Sequence, residues 1–469
     1  MVINMQRKSL FRILTGLTFS IAILGAMAVY APAQSKKDIR EAKKASDQGD
    51  RAFNQGNYRV AIENYNKAIA LVPTEPYSHF WKGLAHHRLN EDDQALAEFD
   101  LAMKNGHRKP LDIYMSRWRV LFARDQFDQA AADINDGLKL DPENRDLTIG
   151  LGDVSFARRD FPTALTAYQK AVLLVPNSAD IYYRIAQTQK ELGNIDGQRT
   201  AAEEAINKRT QYLSESQLLV AEAYQRTAKY DQALDFYQKA ITAKPDNYAA
   251  YRNMADIYRS QGNFSEAIEI SKKGQRLFPN DSYFYSDLSW FYSLSNRKQD
   301  AVDAALAAIR LSAENAIAYR NLCRAYNDLG NASEAVKACN NALSRKADDG
   351  ETLYYLGNAY TLAGRKGDAT RAFSRAVASL QAQTAKSPND ADSFYLLGNS
   401  LVADGQAGKA ADAYNRCLEL SPRFARAKYN LAIAFSSLNQ KDAALEQYRG
   451  LIAIDPELAT KLKAELGLP

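Results

Sequence analysis

The chain has 469 residues, and its 60 lysine and arginine residues exceed its 55 aspartate and glutamate residues by only five. Part of that excess lies in Arg7, Lys8 and Arg12, so the remainder is close to neutral. Duplex nucleic acid is bound by a clustered basic face, and this composition therefore argues against nucleic acid as the principal partner.

Residues 1–33 have the features of a secretory signal peptide. The three basic residues precede a mostly apolar stretch, residues 13–30, and Ala31-Pro32-Ala33 supplies the small residues that a signal peptidase requires. We predict cleavage after Ala33 and an exported protein, periplasmic or secreted, of a bacterial cell envelope. The alternative is an uncleaved membrane anchor, since the apolar stretch is about as long as the shortest spanning helices.

A short charged lead, residues 34–41, is followed by a repeating pattern over residues 42–456. Small residues recur every 34 or 35 positions, except for one interval of 41. We interpret this as one elongated array, in which each repeat contacts chiefly its neighbours, rather than as several separate domains. The twelve repeats start at Ala42, Pro76, Leu111, Arg145, Ala179, Ser214, Tyr248, Ser282, Ala316, Gly350, Ala391 and Ala425.

The clearest repeat, residues 350–388, predicts two helices separated by a break at residues 363–367. A small residue is needed wherever two helices cross closely, and Gly357 and Ala369 supply it in the first and second helix. Proline closes eight of the repeats, as Pro388 closes this one. The apolar and aromatic positions that define the two helices are Leu353, Leu356, Tyr360 and Leu362, then Ala369, Phe373, Ala376 and Val377.

This arrangement of Leu-Gly, Tyr, Ala, Phe and Pro resembles the tetratricopeptide repeat family. The resemblance implies an all-α fold, a right-handed superhelical α-solenoid of antiparallel helix pairs. Two repeats depart from the pattern, because Trp118 occupies a small-residue position in the third and Gln198 replaces an alanine in the fifth. We therefore expect irregular packing in these repeats and a looser array near residues 179–213.

Two further features concern the later repeats. The tenth repeat has seven extra residues within 378–386, mostly good helix formers, so we expect its second helix to be about two turns longer. In the last segment, residues 457–469, Leu458, Leu462 and Leu466 are spaced by four. This spacing predicts a C-terminal helix that caps the array.

The sequence contains no recognisable catalytic constellation, phosphate loop or dinucleotide motif, and we expect neither an enzyme nor a cofactor. All four histidines lie in the second repeat, but His79 and His86 are two helical turns apart, too far to hold one ion directly. We therefore expect no metal site.

The three cysteines, Cys323, Cys339 and Cys417, occupy positions where the resemblance implies small or packed residues. Buried thiols are one interpretation. The other interpretation is a disulfide between Cys323 and Cys339, which lie on facing helices of one repeat and could be joined in an oxidising compartment.

In the tetratricopeptide repeat family the first helices line a concave groove that takes up a peptide or a segment of another protein. Arginine favours acidic groups, asparagine can bracket a peptide bond, and tyrosine offers a flat apolar face with a polar tip. The alternative is that polar groove residues only keep the surface hydrated and that the tyrosines pack. Carried onto this chain, the resemblance predicts groove residues Arg252, Asn253, Arg320, Asn321, Arg324, Tyr354, Asn358, Tyr395, Asn399, Tyr429 and Asn430.

We therefore expect an exported interaction scaffold that binds an extended segment of a partner protein in its groove. The alternative function is a non-catalytic regulatory or targeting subunit of a cell-envelope enzyme or assembly complex. Both need a protein or peptide partner, and contact with a membrane would come only through an uncleaved N-terminal anchor.

Overall fold

The structure, a computed structural model, describes residues 35–468, whose regular elements are 25 α-helices without a strand. The predicted signal peptide and its membrane-anchor alternative lie outside the described residues. Among residues 35–468, none of the helices combines the length and the apolar character of a membrane-spanning segment. The chain divides into two compact units, the first ending at Pro142 and the second starting at Glu143.

The first compact unit packs its helices in pairs joined by short turns. Two aromatic side chains of the second helices, Tyr65 and Phe99, are fully buried against glycines of the first helices. A Cβ on Gly49 would lie 2.5 Å from the Tyr65 ring, and one on Gly83 would lie 2.8 Å from the Phe99 ring. The helices are α1 (Lys36–Asn54), α2 (Tyr58–Leu71), α3 (Pro76–Arg88), α4 (Asp92–Lys104), α5 (Pro110–Ala123) and α6 (Phe127–Leu140).

The second compact unit continues the pattern with nine helix pairs and a final single helix. Because short turns connect the two helices of each pair, the paired helices run antiparallel. The helices are α7 (Arg145–Ala157), α8 (Phe161–Leu174), α9 (Ala179–Glu191), α10 (Ile195–Asn207), α11 (Leu213–Arg226), α12 (Tyr230–Ala243), α13 (Tyr248–Ser260), α14 (Phe264–Leu277), α15 (Ser282–Leu294), α16 (Lys298–Leu311), α17 (Ala316–Asp328), α18 (Ala332–Arg345), α19 (Gly350–Leu362), α20 (Lys366–Lys386), α21 (Ala391–Ala403), α22 (Ala407–Leu420), α23 (Ala425–Ser437), α24 (Lys441–Ile452) and α25 (Pro456–Glu465).

The α19–α20 pair shows why the small residues recur. A Cβ on Gly357 would lie 2.4 Å from the Phe373 ring, so glycine is what lets the two helices approach. The turn between them passes through Gly364 at a φ of +71°, a left-handed conformation that side chains other than glycine disfavour. The predicted all-α fold of antiparallel helix pairs is confirmed.

The expected loosening near residues 179–213 is not found. Gln198 is fully buried in α10, and its side-chain amide donates a hydrogen bond of 2.7 Å to the carbonyl of Leu219 in α11. The polar residue therefore links one pair to the next through its amide N–H, while its side-chain oxygen is buried without a hydrogen-bond partner among the described residues. In the first compact unit, the side chain of Trp118 is buried in α5.

The predicted extension of the tenth repeat is confirmed, since α20 has 21 residues where α18 and α22 have 14. The extra turns are not a free protrusion. Leu380 is fully buried against the start of α19, and Gln383 donates a 2.7 Å hydrogen bond to the hydroxyl of Ser393 in α21. At the end of the described chain, Leu462 of α25 is buried in a cluster with Leu451 of α24.

Candidate functional site

A cavity of about 440 Å³ lies inside the second compact unit. It is lined chiefly by the first helices of successive pairs, α13, α15, α17, α19, α21 and α23, and we call it the inner cavity. Five predicted groove residues meet there, although they come from three different helices: Arg324, Tyr354, Asn358, Tyr395 and Asn399.

Two side-chain contacts bridge the inner cavity between helices that are far apart in sequence. Arg259 of α13 lies 3.0 Å from a carboxylate oxygen of Asp392 in α21, 133 residues later. Arg426 of α23 donates a 3.2 Å hydrogen bond to the carbonyl of Leu294 at the end of α15. The Arg259 side chain is largely buried and that of Asp392 is partly exposed, and burial raises the pKa of Asp392 despite the opposing effect of Arg259.

Arg324 lies against the inner cavity between two aromatic rings. The centre of its guanidinium group is 5.5 Å from the Trp290 ring and 5.6 Å from the Tyr355 ring. One terminal nitrogen, Nη1, donates a 3.1 Å hydrogen bond to the Tyr355 hydroxyl. Asn327, one turn further along α17, donates from its amide to the backbone carbonyl of Tyr355 at 2.9 Å.

Two predicted groove residues of α13 bind other helices of the fold. Arg252 forms a two-point ion pair with Asp287 of α15, with distances of 2.9 and 3.2 Å. Asn253 donates a 3.1 Å hydrogen bond to the Tyr237 hydroxyl of α12. This ion pair joins α13 to α15 and so holds two adjacent helix pairs together. Burial raises the pKa of Asp287 despite the opposing effect of Arg252.

Two predicted residues of α17 are engaged in the same way. Arg320 lies 3.3 Å from Asp349 and 3.1 Å from Glu351, both at the start of the next helix pair. Asn321 is buried and donates a 2.8 Å hydrogen bond to the carbonyl of Ser286 in α15. Of the three predicted residues on α17, only Arg324 lines the inner cavity.

The asparagines of α21 and α23 form a connected hydrogen-bond network. Asn399 accepts 2.8 Å hydrogen bonds from the Tyr414 hydroxyl and from the amide of Asn430. Asn430 also donates a longer bond, 3.4 Å, to the hydroxyl of Tyr395, whose ring packs 4.8 Å from that of Phe424. Successive first helices thus place aromatic and amide groups side by side along one face.

The two remaining predicted tyrosines, Tyr354 and Tyr429, have different surroundings. Tyr354 lines the inner cavity and packs against the ring of Phe373 at 6.0 Å. Tyr429 lies against the terminal helix α25, where the ammonium group of Lys461 is 5.4 Å from its ring. Burial and Glu465 raise the pKa of Tyr429, which is consistent with this covered position.

Sequence reasoning missed the bridging partners Asp392 and Arg426 and the ring of Trp290. No local signal marks them, because Asp392 and Arg426 contact helix pairs about four repeats away and Trp290 contacts arginines of the two adjacent pairs.

Three of the four histidines in the first compact unit, His79, His86 and His87, form hydrogen bonds with carboxylates. His79 is bonded to Glu98 at 2.6 Å, and His86 is bonded to Glu91 at 2.7 Å. Within residues 35–468 there is no group of three residues that could hold a metal ion. In the second unit, Cys323 of α17 and Cys339 of α18 are joined by a disulfide, which decides between the two interpretations of that pair.

Four stretches of the chain match models of tetratricopeptide repeats. Residues 227–288 and 395–459 match models described as Tetratricopeptide repeat, and residues 49–90 and 152–193 match one described as TPR repeat. The chain therefore contains tetratricopeptide repeats, as its spacing predicted.

The curated relatives match only part of the chain. It is 26% identical over 218 residues to RNA polymerase II-associated protein 3 of Homo sapiens, a match covering 46% of this chain and 29% of that protein. It is 28% identical over 117 residues to Small glutamine-rich tetratricopeptide repeat-containing protein 2 of Mycosarcoma maydis, covering 25% of this chain and 33% of the relative. The chain thus spans about a third of the length of these relatives.

Among solved structures, the chain is similar to a tetratricopeptide repeat protein from Parabacteroides merdae and to yeast Tom70. The first is 15% identical with a TM-score of 0.44, covering 55% of this chain and 98% of that one. The second is 15% identical with a TM-score of 0.40, covering 91% and 94%.

Proposed function

We propose that this protein is an exported scaffold that binds an extended segment of a partner protein along the inner face of its second compact unit. Tetratricopeptide repeats mediate protein–protein interactions, which supports a scaffold role for a chain that contains them. Any catalysis belongs to the partner in this proposal.

One observation carries the proposal: aromatic and amide side chains of successive helices converge on the inner cavity. Tyr354 and Asn358 of α19 and Tyr395 and Asn399 of α21 repeat the same pair of residue types in register. The side-chain oxygen of Asn399 is already used within the fold, so this residue offers its amide N–H groups to a peptide carbonyl, and a tyrosine ring covers an apolar side chain at little entropic cost. Such a ladder suits an extended polypeptide.

Entry of a segment requires the two bridging contacts to separate. Arg259 with Asp392, and Arg426 with the Leu294 carbonyl, are contacts of side chains rather than of packed helices. On opening, Arg259 keeps its ion pair with Asp256 at 2.8 Å, which offsets part of the loss of its contact with Asp392. We infer that the second unit opens there to admit the partner.

The disulfide supports the export part of the proposal. Cys323 and Cys339 are joined, and disulfides persist in oxidising compartments such as the periplasm. Cell fractionation with mass measurement of the mature N-terminus tests this. A mature chain that starts after Ala33 in the envelope fraction is expected, whereas retention of the whole N-terminal segment would favour the anchor.

Binding in the groove is tested by placing a photo-crosslinking residue at Asn358, with a matched control at the exposed Glu446 on α24. In living cells we expect a discrete protein to be captured from Asn358 and not from Glu446. A synthetic peptide of the crosslinked segment should then bind the purified chain. Capture from Glu446 alone would show that the inner face is not the binding surface.

A further inference from the structure

His79 of α3 is a buried histidine whose two ring nitrogens both contact oxygen atoms. Its side chain is 5% exposed, and Nδ1 lies 2.6 Å from a carboxylate oxygen of Glu98 on α4. On the other side of the ring, Nε2 lies 3.0 Å from the backbone carbonyl of Pro73, in the connection between α2 and α3. The ring therefore joins three segments of the first compact unit, namely the end of one helix pair and both helices of the next.

Both oxygen partners of His79 can only accept a hydrogen bond. A backbone carbonyl has no hydrogen to donate. Glu98 is held as a carboxylate, because burial alone would raise its pKa but the hydrogen bonds from His79 and Lys82 lower it below its usual value. A neutral imidazole has one N–H and satisfies only one of the two partners, whereas the imidazolium ion donates to both. The geometry therefore requires the charged form of His79.

The surroundings of His79 favour this charged form. Burial alone would lower the pKa of the ring, but the hydrogen bonds to Glu98 and to the Pro73 carbonyl, with the charge of Glu98, raise it above its usual value. Lys82, one turn further along α3, opposes this effect with its own charge and lies 2.7 Å from the other oxygen of Glu98. Among residues 35–468, these two side chains are the charged groups that face the ring, Glu98 from α4 and Lys82 from its own helix.

We propose that the α3–α4 pair is a pH-sensitive joint, which is closed while His79 is an imidazolium ion and opens as the ring loses a proton. Deprotonation leaves one ring nitrogen with its lone pair against an oxygen of Glu98 or Pro73, in a buried place where water does not replace the lost hydrogen bond. The joint lies in the first compact unit. The proposal therefore goes beyond the scaffold function of the second unit and does not depend on it.

The direction of the pH effect follows from the raised pKa of His79. The folded state binds the proton more tightly than the unfolded chain, in which the pKa of a histidine is about 6.5. The stabilisation is therefore complete below that value and is lost as the pH rises through the higher pKa of the folded state. His107, between α4 and α5, provides a contrast, because its ring packs 4.8 Å from that of Phe80 and burial lowers its pKa.

The first test is nuclear magnetic resonance of the purified full chain with nitrogen-15 in its histidine side chains. The chain has only four histidines, so the variants His86→Gln, His87→Gln and His107→Gln assign the signals of His79 by elimination. We expect both ring nitrogens of His79 to carry protons at pH 7, where His107 is mostly neutral, and His79 to lose its charge at a higher pH. A neutral His79 ring at pH 7 would overturn the proposal.

The second test measures the opening of the joint by hydrogen exchange of α3 and α4 peptides, corrected for the intrinsic effect of pH. The opening equilibrium constant should increase about fivefold or more from pH 6 to pH 8.5. His79→Gln cannot titrate and should remove this increase, whereas His87→Gln, at a partly exposed histidine bonded to Asp92, should retain most of it. No increase in the wild type, or an equal increase in His79→Gln, would contradict the proposal. The resonance measurement and the exchange of the wild type decide the matter even where His79→Gln does not fold.

Discussion

The start of α19 offers a stability prediction whose size follows from the surroundings of one carboxylate. Asp349 is 6% exposed and accepts a hydrogen bond of 3.2 Å from the backbone N–H of Thr352. It also lies 3.3 Å from Arg320 and 2.7 Å from Lys346. Burial alone would raise the pKa of Asp349, but these three partners lower it from 3.8 to about 2. That lowering corresponds to about 2 kcal/mol of stabilisation at neutral pH.

We predict that Asp349→Asn lowers the free energy of local opening of α19 by about 2 kcal/mol at pH 7. Asparagine caps a helix about as well as aspartate, so the substitution removes mainly the charge. Hydrogen exchange measured by mass spectrometry on peptides from α17 and α19 is the suitable assay, because repeat arrays open in parts. A lowered pKa contributes stability above about pH 4, so the difference between the two proteins should shrink as the pH falls from 5 towards 2.

Asp390→Asn is the matched control. Asp390 caps α21 through the same kind of contacts, with Ser393 in the place of the threonine, and forms no ion pair among the described residues. We expect this substitution to change the opening of α21 by about 0.5 kcal/mol or less. The electrostatic reasoning would be refuted if the two variants lowered the free energy of local opening equally. It would also be refuted if the effect of Asp349→Asn did not change with pH.

Three further outcomes are expected. Gly357→Ala should destabilise the second unit by about 1–3 kcal/mol in denaturant, because the added methyl group meets an aromatic ring, while Gly408→Ala, where the space is open, should not. Cys417 should resist alkylation in the native chain at pH 8, since burial raises the pKa of its thiol to about 12; rapid modification would contradict this. Arg117→Met should lower the free energy of opening of α5 and α6 by about 3–5 kcal/mol, because it leaves the buried Asp133 without its two-point ion pair. Hydrogen exchange of the α5 and α6 amides measures this loss.

Much of the local structure follows from the sequence because it depends on neighbouring residues. The spacing of small residues such as Gly357 sets where two helices can cross, and the run of helix formers after Val377 sets the length of α20. The break at residues 363–367 locates the turn, because Gly364 adopts a left-handed conformation there. Each of these features is decided within one repeat.

The effect of Gln198 shows where local reasoning fails. A glutamine in place of a small residue predicts poor packing, yet its amide reaches the carbonyl of Leu219 on the following helix pair. The sequence does not indicate that this carbonyl is within reach, because its position depends on how two neighbouring repeats stack.

The sequence by itself determined the helix pairs, their register and the set of polar residues on the first helices. Only the tertiary structure decided which of those residues face the inner cavity. Arg320 and Arg324 are one turn apart on α17, but the first meets two carboxylates of the next repeat and the second meets aromatic rings. The contact of Arg259 with Asp392 depends on the total rotation between helix pairs four repeats apart. No local pattern of residues specifies this rotation.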